Sequence, residues 1–96
     1  MDLDRKLAQL IEKGEEFLSK GIYSVSSLEN LRANTREWES EIREVYKAHP
    51  EIEPVKDLLD EGVHEPSTPA SDLESYIKAQ KTYIEQVLGA LQQYTN

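Results

Sequence analysis

The feature that most constrains the fold is a series of mainly apolar residues spaced alternately three and four positions apart near the middle of the chain. This heptad series comprises Leu28, Leu31, Thr35, Trp38, Ile42, Val45 and His49. Such spacing places side chains on one face of an α-helix, whereas a strand would need strict alternation. It predicts a helix over about residues 27–48 with Trp38 in the core. We expect a capping box at Ser26 and Glu29 to begin this helix and Pro50 to end it.

Three further segments show helical periodicity. The first covers about residues 2–20, and Gly14 within its apolar stripe predicts either close helix packing or a local weakening. A short helix is expected over about 54–61, from an early proline to Gly62. The last covers about 71–94, beginning at a capping box of Ser71 and Glu74.

The segment between the first two helices reads as an ordered connection. Its apolar residues Ile22, Tyr23 and Val25 are expected to cover one end of the core. The apolar arc of the last helix is wide, about 140° at 100° per residue. Its stripe is extended on one side by Tyr76, Tyr83, Val87 and Tyr94. Such an arc suits either two neighbours in a bundle or a tyrosine-edged interface.

Four helices with one apolar face each, joined by short or medium links, predict an all-α fold. We expect a small up-down bundle of three long helices plus one short helix, forming a single helical domain over residues 1–96. The heptad spacing leaves open a dimer in which helices of two chains share one core.

Composition excludes several classes of function. The chain has no cysteine, which removes disulfides and thiolate chemistry, and its net charge of −8 argues against direct nucleic-acid binding. His49 and His64 match no zinc spacing, and no nucleophile elbow or phosphate loop is present. No catalytic, cofactor-binding or metal residue is therefore predicted. Without a membrane span or an apolar leader, we expect a cytoplasmic protein.

Partner binding is the function class that remains. Residues 51–65 hold six acidic side chains and one basic side chain, an arrangement that fits a docking face or simple solubility. Tyrosines on the last helix add a second candidate contact, since tyrosine is frequent at interface hot spots. The candidate partner-binding residues are Asp57, Asp60, Glu61, Glu65, Tyr76, Tyr83 and Tyr94.

Three stretches carry a family resemblance: "LIEKGEEFLSKG", then "REWESEIREVYKAHPEIEPVKDLL", then "LESYIKAQKTYIEQVLGAL". Their order resembles helical accessory regions that precede effector domains in bacterial anti-phage proteins of the abortive-infection type. The resemblance implies a non-catalytic module for oligomerisation or sensing. Because no effector domain follows Asn96 in the sequence, it implies either a part acting in trans or a small regulator.

The leading hypothesis is a non-enzymatic helical module for protein–protein interaction or oligomerisation, with an acidic docking face. Its partner is expected to be a protein, and the two alternatives are a protein with a basic surface and a second copy of the chain. The alternative is a small acidic phage-type inhibitor that occupies a basic nucleic-acid-binding surface of a host defence protein.

Overall fold

The computed structural model describes residues 3–65 and 72–95, which form four α-helices and no strand. The helices are α1 (Leu3–Ser19), α2 (Val25–Ala48), α3 (Glu53–Glu61) and α4 (Leu73–Gln92), and a 3₁₀ turn, Pro50–Ile52, precedes α3. The predicted all-α class is confirmed. No helix in this described part combines the length and apolar character that a bilayer crossing requires.

The start of α2 differs from the prediction. Ser24, not Ser26, is the N-cap: its hydroxyl accepts from the backbone N–H of Ser27 at 3.1 Å. The Ser27 hydroxyl in return accepts from the backbone N–H groups of Ser24 and Tyr23, at 3.0 and 3.1 Å. This reciprocal serine pair satisfies three otherwise free N–H groups, and the helix therefore begins two residues earlier than expected.

The end of α2 and both ends of α3 follow the sequence signals. His49 closes α2 with φ −135° and ψ 75°, and Pro50 directly after it opens the 3₁₀ turn. Gly62 ends α3 with φ 72°, a backbone conformation that glycine adopts without steric cost. The short helix is therefore present, beginning one residue earlier than predicted.

The last helix begins at a different cap from the one expected. Asp72 is the N-cap of α4, and its Oδ1 accepts from the Ser75 backbone N–H at 3.0 Å and from the Ser75 hydroxyl at 2.9 Å. These hydrogen bonds hold the pKa of Asp72 below its usual value. The predicted cap, Ser71, lies outside the described residues.

Contacts between the helices show which of them pack together. Lys13 of α1 pairs with Glu41 of α2, while Lys20, just beyond α1, accepts a hydrogen bond from Lys81 of α4. Helix α1 packs against both α2 and α4, and α3 packs against α2 and α4. The extents of the molecule are 46 × 23 × 20 Å.

Trp38 lies at the centre of the core, as its heptad position predicts. Its side chain is 1% exposed, and its indole N–H donates to the Leu10 carbonyl of α1 at 2.8 Å. Phe17 meets the indole edge-on, with ring centroids 5.9 Å apart. Every predicted seam position of α2 is buried except His49, which is half-buried at the helix end. The seam therefore faces the other helices along its whole length.

Candidate interaction surface

Helix α3 has one buried face and one acidic face. Val55 and Leu59 are buried, and Ile52 of the preceding turn is fully buried beside them. Leu58 is half-buried and packs against the same core. These apolar contacts fix the helix on α2 and α4 and turn its acidic side chains outward. Four of the predicted partner-binding residues lie on or next to this helix.

Asp60 is engaged within the molecule. Its Oδ1 accepts from Arg43 of α2 at 2.9 Å, and its Oδ2 lies 2.8 Å from the ammonium of Lys56. Hydrogen bonds from Lys56 and Arg43 hold the pKa of Asp60 below its usual value, and Asp60 raises the pKa of Lys56 in turn. The local sequence indicates no structural role for Asp60, but its contact with Arg43 ties α3 to α2.

Glu65 is likewise committed to an internal contact. Its Oε1 accepts from the guanidinium of Arg32 at 3.0 Å, and Arg32 also pairs with Glu29 at 2.8 Å. The pair joins the segment after α3 to the first half of α2. Asp60 and Glu65 therefore have local partners that a docking protein would have to displace.

Asp57 and Glu61 have a different environment. Both are exposed, and Asp57 forms no ion pair with another described residue. Glu61 Oε1 lies 3.8 Å from His64 Nε2, which is beyond hydrogen-bonding distance. Together with exposed Glu53 they stand at positions i, i+4 and i+8 of α3, so three carboxylates follow one side of the helix about 6 Å apart along its axis. We call Glu53, Asp57 and Glu61 the acidic row.

The three candidate tyrosines do not form one edge. Tyr83 is 3% exposed, and its hydroxyl donates to the carboxylate of Glu39 in α2. Burial, and then this hydrogen bond, raise the pKa of Tyr83 above the ordinary value. Tyr76 lies in the first turn of α4 and Tyr94 lies two residues beyond its end, and both are half-buried. The expected tyrosine edge is corrected: Tyr83 belongs to the core because α3 covers that side of α4.

The two histidines lie on either side of α3, since His49 precedes it and His64 follows it. His49 Nδ1 is 3.7 Å from Glu51, and the His64 side chain is 76% exposed. Within residues 3–65 and 72–95, no three histidine or carboxylate side chains are placed to hold a metal ion together.

Two side chains that the sequence predicts to cover one end of the core are exposed. Tyr23 is 88% exposed and Val25 is 66% exposed, whereas Ile22, between α1 and α2, packs against the core as predicted. The heptad register could have predicted that Val25 is exposed. Continued backward from Leu28, the register places residue 24 on the buried face, and Val25 therefore lies off that face. No comparable signal identifies Tyr23.

Comparison of the chain with protein-family models, curated proteins and solved structures gives no match.

Proposed function

We propose that this chain is a non-enzymatic interaction module that docks a basic surface of a partner protein on α3. The observation that carries the proposal is the acidic row of Glu53, Asp57 and Glu61, exposed on a helix whose opposite face is buried. A helix anchored in this way presents its charges in a fixed geometry, so little ordering is needed when a partner binds. Asp60 and Glu65, together with Tyr76 and Tyr94, are secondary contacts in this proposal.

The proposed scaffold is an up-down bundle in which α1, α2, α3 and α4 alternate in direction. Two ion pairs support this order. Arg43, late in α2, pairs with Asp60, whereas Arg32, early in α2, pairs with Glu65, which comes after Asp60 in the sequence. Because Glu65 follows the end of α3, this order of contacts supports an antiparallel arrangement of α2 and α3. The short connection of residues 20–24 fits antiparallel α1 and α2, and the ion pair of Lys13 with Glu41 holds these helices together.

The resemblance to accessory regions of anti-phage proteins points the same way, toward oligomerisation or sensing without catalysis. In this proposal the module acts in the cytoplasm, contacts neither membrane nor nucleic acid directly, and needs no cofactor. The net charge of −8 supports the exclusion of direct nucleic-acid contact, because such binding depends on basic side chains near phosphates.

An acidic inhibitor of a nucleic-acid-binding protein is the second proposed function. The even spacing of the acidic row favours it, because a groove lined with basic residues for phosphates would accept evenly spaced carboxylates. The inhibitor hypothesis predicts competition with nucleic acid for the same partner, whereas a docking module binds without such competition.

The test compares affinity capture by wild-type protein, by Asp57→Lys/Glu61→Lys, and by the matched control Glu15→Lys/Glu16→Lys. Both variants change the net charge equally, and Glu15 and Glu16 are exposed on α1. We expect the amount of captured partner to fall at least about tenfold for the α3 variant and not for the control. We also expect added salt to weaken capture by the wild-type protein. Equal loss in both variants would reduce the effect to net charge, and no loss in the α3 variant would contradict the docking face. Added nucleic acid releases the partner only under the inhibitor hypothesis.

A further inference from the structure

We infer that Tyr46 and Asp60 are positioning residues that hold the ammonium of Lys56 away from the acidic row, so that the row keeps its charge for a basic partner. This role rests on the proposed function, since it concerns the same surface of α3. Lys56 is the one basic residue in the sequence of α3. Its position therefore determines how much of the negative charge of the row is neutralised within the chain.

On an isolated helix, Lys56 would pair with the acidic row. Glu53 stands three residues before it, and an acid that precedes its lysine is the favoured order for an ion pair on a helix surface. Asp60 stands four residues after Lys56, which is the less favoured order. The ammonium nevertheless lies 2.8 Å from Asp60 Oδ2, and Asp60 is its ion-pair partner in the described part of the chain.

Two side chains of α2 account for this choice. The ammonium of Lys56 stands over the ring of Tyr46, 5.9 Å from the ring centroid, a distance at which the face of an aromatic ring attracts a cation. Arg43 donates to Asp60 Oδ1 at 2.9 Å, so the other carboxylate oxygen, Oδ2, is the one that meets Lys56. Contacts with α2 therefore reverse the order that α3 alone would favour.

These contacts lie on the side of α3 away from most of the row. At about 100° per residue, Lys56 is about 60° from Glu53 toward the side that faces α2. Asp57 and Glu61 are on the other side of Glu53, about 100° and 140° from Lys56. A Lys56 side chain that moved to Glu53 would neutralise the first carboxylate of the row. Held against Tyr46, it leaves all three carboxylates to a partner.

NMR of the full chain tests the position of Lys56 without any partner. In the wild-type protein, the ring current of Tyr46 should shift the ε-methylene protons of Lys56 upfield, relative to lysine in a short peptide. Asp60→Asn should reduce this shift, because the ammonium loses its ion pair but the ring remains. Far-UV circular dichroism should show unchanged helix content in Asp60→Asn, whose side chain is exposed. An absent shift in the wild-type protein would overturn the inference.

Binding of a hexalysine peptide at low salt tests the effect on the row. Tyr46→Leu changes no charge but releases Lys56, so we expect affinity to fall about twofold or more. Tyr46→Phe keeps the ring and should bind as the wild-type protein does. Asp60→Asn should weaken binding more in the wild-type chain than in Lys56→Gln, because only the wild-type chain has an ammonium to release. Equal losses in these two backgrounds would mean that Lys56 does not move to the row.

Two lysine variants separate this inference from the proposed function. Asp57→Lys/Glu61→Lys should lose hexalysine binding beyond the loss seen in the control Glu15→Lys/Glu16→Lys. If it does, and the two Asp60→Asn losses are equal, the positioning role alone is contradicted. If both lysine variants bind equally, the proposed docking face is contradicted, and the upfield shift of Lys56 still decides where its ammonium lies.

Discussion

Gly14 and Gly89 are both interior glycines of long helices, yet their surroundings are opposite. A Cβ on Gly14 would lie 2.6 Å from Leu88 Cδ2 and 2.8 Å from Trp38 Cζ2, whereas a Cβ on Gly89 would meet no atom within 4 Å. Gly14 therefore permits the close approach of α1 to α2 and α4, which is one of the two alternatives that its position in the apolar stripe predicted. Gly89 lies on the exposed side of α4.

The two glycines give opposite predictions for alanine substitution. Gly14→Ala should lower the free energy of unfolding by about 1–3 kcal/mol, because the indole of Trp38 is fixed by its hydrogen bond to Leu10 and cannot easily retreat. Gly89→Ala should raise it by up to about 1 kcal/mol through helix propensity alone. Urea unfolding of both variants measures the difference. A stabilised Gly14→Ala variant would show that the core yields at this point.

Gln80 is a polar residue buried inside the core. Its side chain is 3% exposed in the interior of α4, and its amide has no hydrogen-bonding partner among the described residues. Gln80→Met keeps a similar shape without the polar group, so we expect it to stabilise the fold by about 1–2 kcal/mol in thermal or urea unfolding.

Thr35→Val provides the control for that substitution. Thr35 is also buried, but its hydroxyl already donates to the Leu31 carbonyl at 2.7 Å. Removing a satisfied hydroxyl should therefore change the free energy of unfolding less than Gln80→Met does. Equal effects of the two substitutions would mean that the Gln80 amide is satisfied in solution, for example by a buried water.

At the scale of single elements, the N-terminus of α2 tests which serine caps the helix. Ser24→Ala should cost about 1 kcal/mol of stability, because it removes the acceptor of the Ser27 N–H. Ser26→Ala, at the position that the sequence pattern favoured, should change stability by less than about 0.5 kcal/mol, since Ser26 is exposed on the first turn. Thermal unfolding of the two variants distinguishes them, and a larger loss for Ser26→Ala would contradict the cap seen in the structure.

The attachment of α3 to α2 should depend on acid pH. Because the pKa of Asp60 is lower when folded than its ordinary value of 3.8, its stabilising effect is complete above that value and disappears as the pH falls through the lower folded value. Asp60→Asn should therefore be less stable than wild type near neutral pH, and the gap should close below about pH 3.8. Asp57→Asn is the control, because Asp57 forms no described ion pair. Urea unfolding across this pH range measures both, and a gap that persists at low pH would argue against the ion pairs.

The elements also show how far periodicity predicts such a fold. The burial of the α2 seam was predictable from one rule, that apolar residues spaced three and four positions apart share a buried helix face. Six of the seven seam residues follow this rule. The N-cap of α2 was not predictable in this way, because serine at position 24, 26 or 27 can cap a helix. Only the three-dimensional geometry shows that Ser24 and Ser27 form the reciprocal pair of hydrogen bonds. The burial of Tyr83 depends on where α3 lies against α4, a tertiary contact that no local pattern encodes.

The same limit applies to the candidate surface. The sequence identified the acidic segment and the exposed acids Asp57 and Glu61, because charge and a short amphipathic helix are both local properties. It could not separate them from Asp60 and Glu65, whose partners Arg43 and Arg32 lie 17 and 33 residues away. Long-range ion pairs of this kind appear only when the helices are packed.

At the scale of the whole molecule, charge is distributed unevenly. The second half of α2 and the segment up to Asp60 carry a large excess of carboxylates, while the junction of α1 and α2 is slightly basic. Exposed ion pairs such as Lys13–Glu41 and Lys47–Glu44 offset part of this repulsion, but such pairs contribute little each. Repulsion among the remaining acids should therefore dominate the effect of salt on stability.

This imbalance predicts that the melting temperature of the wild-type protein rises as salt is added from low ionic strength to about 0.15 M, where the screening length is about 8 Å. Asp57→Lys/Glu61→Lys should melt higher at low salt and respond less to salt, because it removes repulsion where acids are concentrated. The control Glu15→Lys/Glu16→Lys makes the same change in net charge on α1, where Lys13 is close by, so its effect should be smaller. Calorimetric scans in a salt series at one fixed protein concentration measure all three. If added salt lowers the wild-type melting temperature, the attraction within the ion pairs outweighs the repulsion among the acidic side chains. In that case a basic partner would relieve no repulsion by binding to the acidic segment.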